Sequence, residues 1–223
     1  MPEAEGSSFV IAVDGAAASG KGTVAARLAK HYNLPHLDTG LLYRGVGVAL
    51  LQARKDLSDE AFAAEAARSL DLASLNDPAL TTADAGEAAS RVAALATVRA
   101  ALLELQQDFA RRAGGAVLDG RDIGTVIAPD APAKLYMDAA LEVRARRRWL
   151  QTSARGEPRT LEDTIADLKR RDARDSSRAD APMKRAPDAV LLDTTEMTID
   201  AAFDEALRHV EQARRRWLAA LGR

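Results

Sequence analysis

The 223-residue chain has no cysteine, which excludes disulfides and cysteine-ligated zinc and fits a reducing compartment. Aromatic residues are scarce, at 4%. No run approaches the roughly 20 apolar residues that a membrane-spanning helix needs. Met1 to Ser8 shows no basic segment followed by an apolar one, so no signal peptide is expected. An excess of one charge is also lacking. Lys and Arg number 31 against 33 Asp and Glu, a net charge of −2. Bulk electrostatics therefore favour neither nucleic acid nor a membrane surface as partner. A soluble, cytoplasmic protein is the expectation. Lysine is rare too, 6 residues against 25 arginines. Arginine's planar fork suits bidentate grips on phosphate, although codon usage in an alanine-rich chain produces the same bias.

Hydrophobic residues at 47% supply a full core, and the length suits one α/β domain with a small insertion. Five short apolar runs, 9–14, 34–37, 116–119, 133–138 and 189–193, read as buried strands. Helical spacing recurs at about 22–32, 41–53, 91–112, 140–150, 160–173 and 198–219. Strands alternating with helices imply a five-stranded parallel sheet with helices on both faces and ligands at the strands' carboxyl ends. The alternation breaks over 53–98, where Asn76-Asp77-Pro78, Thr81-Thr82 and Gly86 mark turns. This segment is expected to be a mostly helical insertion, because it is poor in β-branched residues. The polar stretch around Gly156 and Pro158 suggests a lid at 149–160. The core would then comprise 9–52, 99–148 and 161–223 of a single domain, 1–223.

Directly after the first apolar run stand Gly15, Ala16, Ala17, Ala18, Ser19, Gly20, Lys21, Gly22 and Thr23. Two glycines five apart, then lysine, between a strand and a helix, have Walker A spacing. Such a turn points backbone N–H groups at phosphate oxygens, the helix adds its positive end, and lysine adds a point charge. This makes the loop a candidate ATP site. Four strands end in or lead into Asp14, Asp38, Asp119 and Asp138. A carboxylate so placed can hold Mg²⁺ through water, or cap a turn or helix. Asp38 and Asp119 are the metal candidates.

Three further segments accompany the loop: Leu37-Asp38-Thr39-Gly40-Leu41-Leu42-Tyr43-Arg44, Asp119-Gly120-Arg121-Asp122-Ile123-Gly124-Thr125, and Arg171-Asp172-Ala173-Arg174-Asp175-Ser176-Ser177-Arg178. With Lys21-Gly22-Thr23, the set closely resembles the bacterial cytidylate kinase family of P-loop nucleoside monophosphate kinases, over most of residues 9–210. The resemblance implies ATP- and Mg²⁺-dependent phosphorylation of CMP and dCMP. It assigns catalysis to Lys21, Arg121 and Arg178, and the acceptor phosphate to Arg44, Arg121 and Arg178, with Thr39 close by. Cytosine would be read by Ser90, Arg99 and Asp122, and the sugar contacted by Arg171 and Asp175. Arg144, Arg147 and Arg148 are candidates for the donor phosphates. The family tendency is a monomer acting on small nucleotides. Ala16 and Ala18 depart from the family's usual proline and glycine, and alanine at 18 accepts a positive φ less readily.

The chemistry fits. An acceptor that is already a phosphate dianion needs no carboxylate base, but two mutually repelling polyphosphates need arginines from several directions. Rival readings are a UMP or AMP kinase and a non-enzymatic nucleotide-binding switch. The switch usually places Ser or Thr directly after the loop lysine, and GTPases add Asn-Lys-x-Asp, which this chain lacks. Nucleic-acid binding through Arg214-Arg215-Arg216-Trp217 competes with an anchoring role for that terminal helix.

Overall fold

The computed structural model describes residues 8–222. The reading of Met1 to Ser7 as free of a signal segment lies outside these residues, as do the chain ends of the single domain expected over 1–223. The chain runs β1 (Phe9–Gly15), α1 (Lys21–Tyr32), β2 (His36–Asp38), α2 (Thr39–Gln52), α3 (Glu60–Arg68), α4 (Ala83–Val92), α5 (Ala96–Ala110), β3 (Gly115–Gly120), β4 (Ala133–Asp138), α6 (Leu141–Ser153), α7 (Leu161–Ser177), β5 (Val190–Asp193) and α8 (Ile199–Ala220). The strand order is β2-β3-β1-β4-β5. β1 pairs in parallel with β3 and β4, and β4 with β5. This is the expected five-stranded α/β sheet.

Among the described residues two compact units are distinguished, one made of residues 8–37, 106–140 and 183–222, the other of residues 38–105 and 141–182. The first carries the sheet. Every residue of β1 is buried, as expected of an unbroken apolar strand covered on both faces. β4 instead alternates, with Ala133, Leu135 and Met137 inward. These side chains join Ile11, Val13, Val24, Leu28 and Val117 in one core, which α8 closes with Ala206 and Val210. Trp217 packs on Phe9, ring centroids 5.2 Å apart, and the Arg214 guanidinium lies 5.9 Å from the Tyr32 ring. The terminal helix is thus anchored through its aromatic residue.

The second unit is helical among its described residues. Its helices use short polar caps: Asp59 accepts from Phe62 N, Thr82 from Ala85 N and Thr160 from Asp163 N. Small residues let α2 and α4 approach closely, so that a Cβ on Gly47 would lie 2.8 Å from that of Ala88. Over 53–98 the structure has α3, two 3₁₀ turns (Leu72–Asn76 and Pro78–Thr81) and α4, with no strand. The single helix expected over 91–112 is two, broken at 93–95. No glycine or proline marks that break; Val92, Ala93 and Val98 are all buried, and packing rather than local propensity sets the turn.

If α8 is an anchor, Trp217→Ala should lower unfolding stability by about 2 kcal/mol, below the full-burial range because the ring is partly exposed. Chemical denaturation would check this, and an unchanged midpoint would return the basic helix to the candidates for a binding surface.

Candidate functional site

In the sheet-bearing unit, the loop leaves β1 at Gly15, whose φ is +143°; a Cβ there would sit 1.9 Å from Met137 O. Only glycine fits that close approach. Ala18 adopts the left-handed conformation, φ +61°, so the alanine takes up the strained geometry at an order-of-magnitude cost of 1 kcal/mol. Gly20 caps α1 without any side-chain hydrogen bond to the helix's first N–H groups. Those donors and the positive end of the helix suit an anion. Ser19 Oγ is fully buried with no hydrogen-bond partner among the described residues, and Thr194 Oγ1 donates to Ser19 O at 2.9 Å, pinning the loop backbone to the end of β5.

Lys21, the first residue of α1, lies with Nζ 3.5 Å from Asp119 Oδ2. Asp119 is completely buried at the end of β3, and its Oδ1 is 2.8 Å from His36 Nε2. Burial by itself pushes this carboxyl up. The His36 hydrogen bond and the Lys21 charge outweigh it and hold the group below its ordinary value. Asp119 therefore stays ionised beside the loop. Arg121 follows, its Nη1 donating to Gly120 O at 3.3 Å.

Asp14 has a different task. Its two carboxylate oxygens accept from Ile123 N (2.8 Å) and Gly124 N (2.7 Å), fixing the segment that carries Arg121 and Asp122. Burial pushes Asp14 up to about 6, against the lowering effect of those two hydrogen bonds. Asp138 and Asp38 also accept from backbone, from Ala139 N and from Gly40 N at the start of α2. Among the strand-end carboxylates, Asp119 faces both a lysine and a histidine. Nothing in the sequence singled out His36 or Thr194. Neither lies in a recognisable pattern, and their roles come from the sheet register and the end of β5.

The remaining candidates gather in the helical unit. Arg44 donates to Leu80 O (2.6 Å) and Thr82 O (3.2 Å). A Cβ added at Gly86 would lie 3.2 Å from Arg44 Nη2 and 3.1 Å from Arg171 Nη1, so two guanidinium groups converge over that glycine. Ser90 and Asp175 are both buried and joined by a 3.1 Å hydrogen bond. Arg99 lies 3.2 Å from Asp180 Oδ2 and donates to the Tyr43 hydroxyl at 3.3 Å. Arg178 donates to Ala181 O at 2.9 Å. Thr39 is buried at the first turn of α2.

On α6, Arg144 is buried against Asp172 at 2.8 Å, which gives it a structural partner. Arg147 is half-buried. Arg148 donates to Thr82 O at 3.3 Å and to Gln151. Segment 149–160 is tied to residues 81–84: Arg155 donates to Thr81 O, Glu157 accepts from Ala83 N, and Arg159 pairs with Asp84.

Among known families, the one described as Cytidylate kinase matches residues 11–212. The chain is 63% identical over 210 residues to a cytidylate kinase of Caulobacter sp. (strain K31), covering 94% of this chain and 97% of that one. It is 64% identical over 208 residues to one from Caulobacter vibrioides (strain NA1000 / CB15N), covering 93% and 98%. With one from Xanthobacter autotrophicus it shares 60% over 206 residues, covering 92% and 99%. Two solved structures share the fold at low identity. An uncharacterized protein from Eubacterium ventriosum has a TM-score of 0.53 at 14% identity, covering 92% of this chain and 99% of that one. An unliganded sugar kinase from Janibacter sp. has 0.51 at 16%, covering 92% and 95%.

The raised Asp14 makes a pH prediction. A folded value of about 6 above the ordinary 3.8 means its favourable contribution is complete below 3.8 and lost as pH rises through 6. Between pH ~7.5 and ~5, the wild type should gain about 1.4 kcal/mol of unfolding stability relative to Asp14→Asn, in which groups common to both cancel. A difference independent of pH would show that Asp14 does not titrate there.

Proposed function

The chain belongs to the cytidylate kinase family, and on that premise we propose that it transfers the γ-phosphoryl group of ATP to CMP, and to dCMP, giving the diphosphates. One observation supports the donor side: the N-cap Gly20 of α1 makes no side-chain cap, and Lys21, first in the helix, places its charge 3.5 Å from Asp119 beside the loop. Residues 15–23 hold the triphosphate, with Arg147 and Arg148 as further contacts. Arg44, Arg121 and Arg178 hold the acceptor phosphate beside Thr39, Ser90, Arg99 and Asp122 read cytosine, and Arg171 and Asp175 meet the sugar.

The acceptor oxygen is already anionic, so no residue need remove a proton. What the protein supplies is alignment and positive charge. Lys21 meets charge on the β- and γ-oxygens, while Arg121 and Arg178 offset the repulsion between the two nucleotides. Cytosine's exocyclic amine donates to the Asp122 carboxylate; uracil would present a carbonyl there instead.

Asp119 suits Mg²⁺ carried in with the nucleotide, since its carboxylate stays ionised and a Cβ on Gly22 would be 3.6 Å from Oδ2. Among the described residues no cluster of three or more ligating groups exists, which is compatible with a cation held chiefly by phosphate and water. Asp38 is the second candidate for a water-mediated contact. Bound there, the cation would neutralise polyphosphate charge.

Within this scheme, 53–98 serves as the monophosphate-binding insertion and 149–160 as the lid of one kinase domain with core segments 9–52, 99–148 and 161–223. The hydrogen bonds that tie 149–160 to 81–84 support a shared movement of these two segments. The protein acts as a cytoplasmic monomer on small nucleotides and not on nucleic acid, a reading supported by its net charge of −2 and the engaged Trp217. Among the described residues no helix is long and apolar enough to cross a membrane.

An ADP-release assay with CMP, dCMP, UMP and AMP tests the specificity. CMP and dCMP should lead in kcat/KM, chelation of Mg²⁺ should abolish turnover, and faster use of AMP would overturn the assignment. Hydrolysis without any acceptor preference would favour the switch reading. Lys21→Ala should cut kcat by at least about 100-fold while circular dichroism stays unchanged; an unaltered kcat would remove the phosphate-loop argument.

A further inference from the structure

In the helical unit, Glu87 and Ser90 share a face of α4, three residues apart, while Arg174 and Asp175 are neighbours on α7. Arg174 Nη2 donates to Glu87 Oε1 at 2.8 Å, and its Nη1 donates to Ser90 Oγ, also at 2.8 Å. Ser90 Oγ in turn donates to Asp175 Oδ1 at 3.1 Å. The chain of hydrogen bonds has a direction. A guanidinium can only donate and an ionised carboxylate can only accept, so the hydroxyl's single proton is committed to Asp175. A ligand meeting Ser90 Oγ finds a lone pair.

We infer that Arg174, braced by Glu87, is a positioning residue that fixes Ser90 as a hydrogen-bond acceptor and so makes it select cytosine over uracil. The inference rests on the reading that Ser90 faces the base. With N1 bonded to the sugar, cytosine's one hydrogen-bond donor on the ring edge is the exocyclic amine at C4. Uracil has a carbonyl at C4. A lone pair on Ser90 attracts the first and repels the second.

Asp175 alone does not secure this polarity. At 3.1 Å its bond to Ser90 is long for an O–H···O contact, and an unrestrained hydroxyl can turn its proton toward a carbonyl. Arg174 donates into one of the oxygen's two lone pairs, which holds the hydroxyl proton turned toward Asp175 and leaves the second lone pair for a ligand. The pair with Glu87 keeps the guanidinium there, since Arg174 and Glu87 are both partly shielded from solvent.

The experiment compares kcat/KM for CMP and UMP in four variants. Arg174→Met should lower the CMP:UMP ratio about tenfold, mainly by raising UMP use, the effect of one hydrogen bond gained. Arg174→Lys keeps a donor and should retain most of the ratio. The double variant Glu87→Arg with Arg174→Glu restores an ion pair between α4 and α7 but presents Ser90 with an acceptor; its ratio should stay low. Recovery of the ratio in that variant would mean the pair merely ties two helices, and would overturn the inference. Ser90→Ala should also lower the ratio. If it does so while Arg174→Met does not, Ser90 reads the base without help from Arg174. If Ser90→Ala changes nothing, the reading of Ser90 as a base contact fails, and the inference fails with it.

Discussion

A fully buried carboxylate organises the phosphate-binding end of the sheet. Asp119 is fully buried at the end of β3, and an ion in that place is tolerated only when charge and hydrogen bonds compensate its lost solvation. His36 from β2 and Lys21 from α1 supply that compensation. Lys21, the lysine proposed to meet phosphate, is thereby held to the scaffold. Two side chains from separate elements converge on one oxygen pair, so the register of β2 beside β3 and the start of α1 are both tied to the same group.

Asp14 does comparable work one strand away, spending its carboxylate on the backbone of Ile123 and Gly124. Arg121 and Asp122, immediately before those residues, inherit a fixed backbone. The helical unit uses the opposite device: side chains bonded to side chains. Ser90, Asp175, Arg174 and Glu87 orient one another across α4 and α7. Backbone anchoring would suit the phosphate contact proposed for Arg121, since attraction between charges depends little on small rotations. A directed side-chain network would suit the base-reading role proposed for Ser90, which requires telling a donor from an acceptor.

Much of this was legible in advance. The apolar runs ending at Asp14 and Asp119 are strands buried along their whole length, while those ending at Asp138 and Asp193 are strands whose residues are only in part buried. The glycine and lysine spacing announced the loop. What escaped was whatever depends on partners distant in the chain. The break between α4 and α5 has no glycine or proline to signal it. Arg144 has the same chemistry as its neighbours on α6, yet it is buried against Asp172. Asp14 and Asp38 looked like Asp119 by position, but only the fold reveals which carboxylate meets a lysine and which meet backbone amides.

By itself the sequence determined the alternating α/β layout, the helical character of 53–98 and the identity of the phosphate loop, because these follow from local periodicity, turn chemistry and short-range spacing. Tertiary structure alone decided that Ala18 takes a left-handed conformation, that His36 backs Asp119, and that Thr194 pins Ser19. It also set the direction of the Ser90 hydroxyl. The physical reason is the same in each case. The energy of a buried polar group is set by the partners that surround it, and residues 83 or 175 positions away cannot be read from the chain around them.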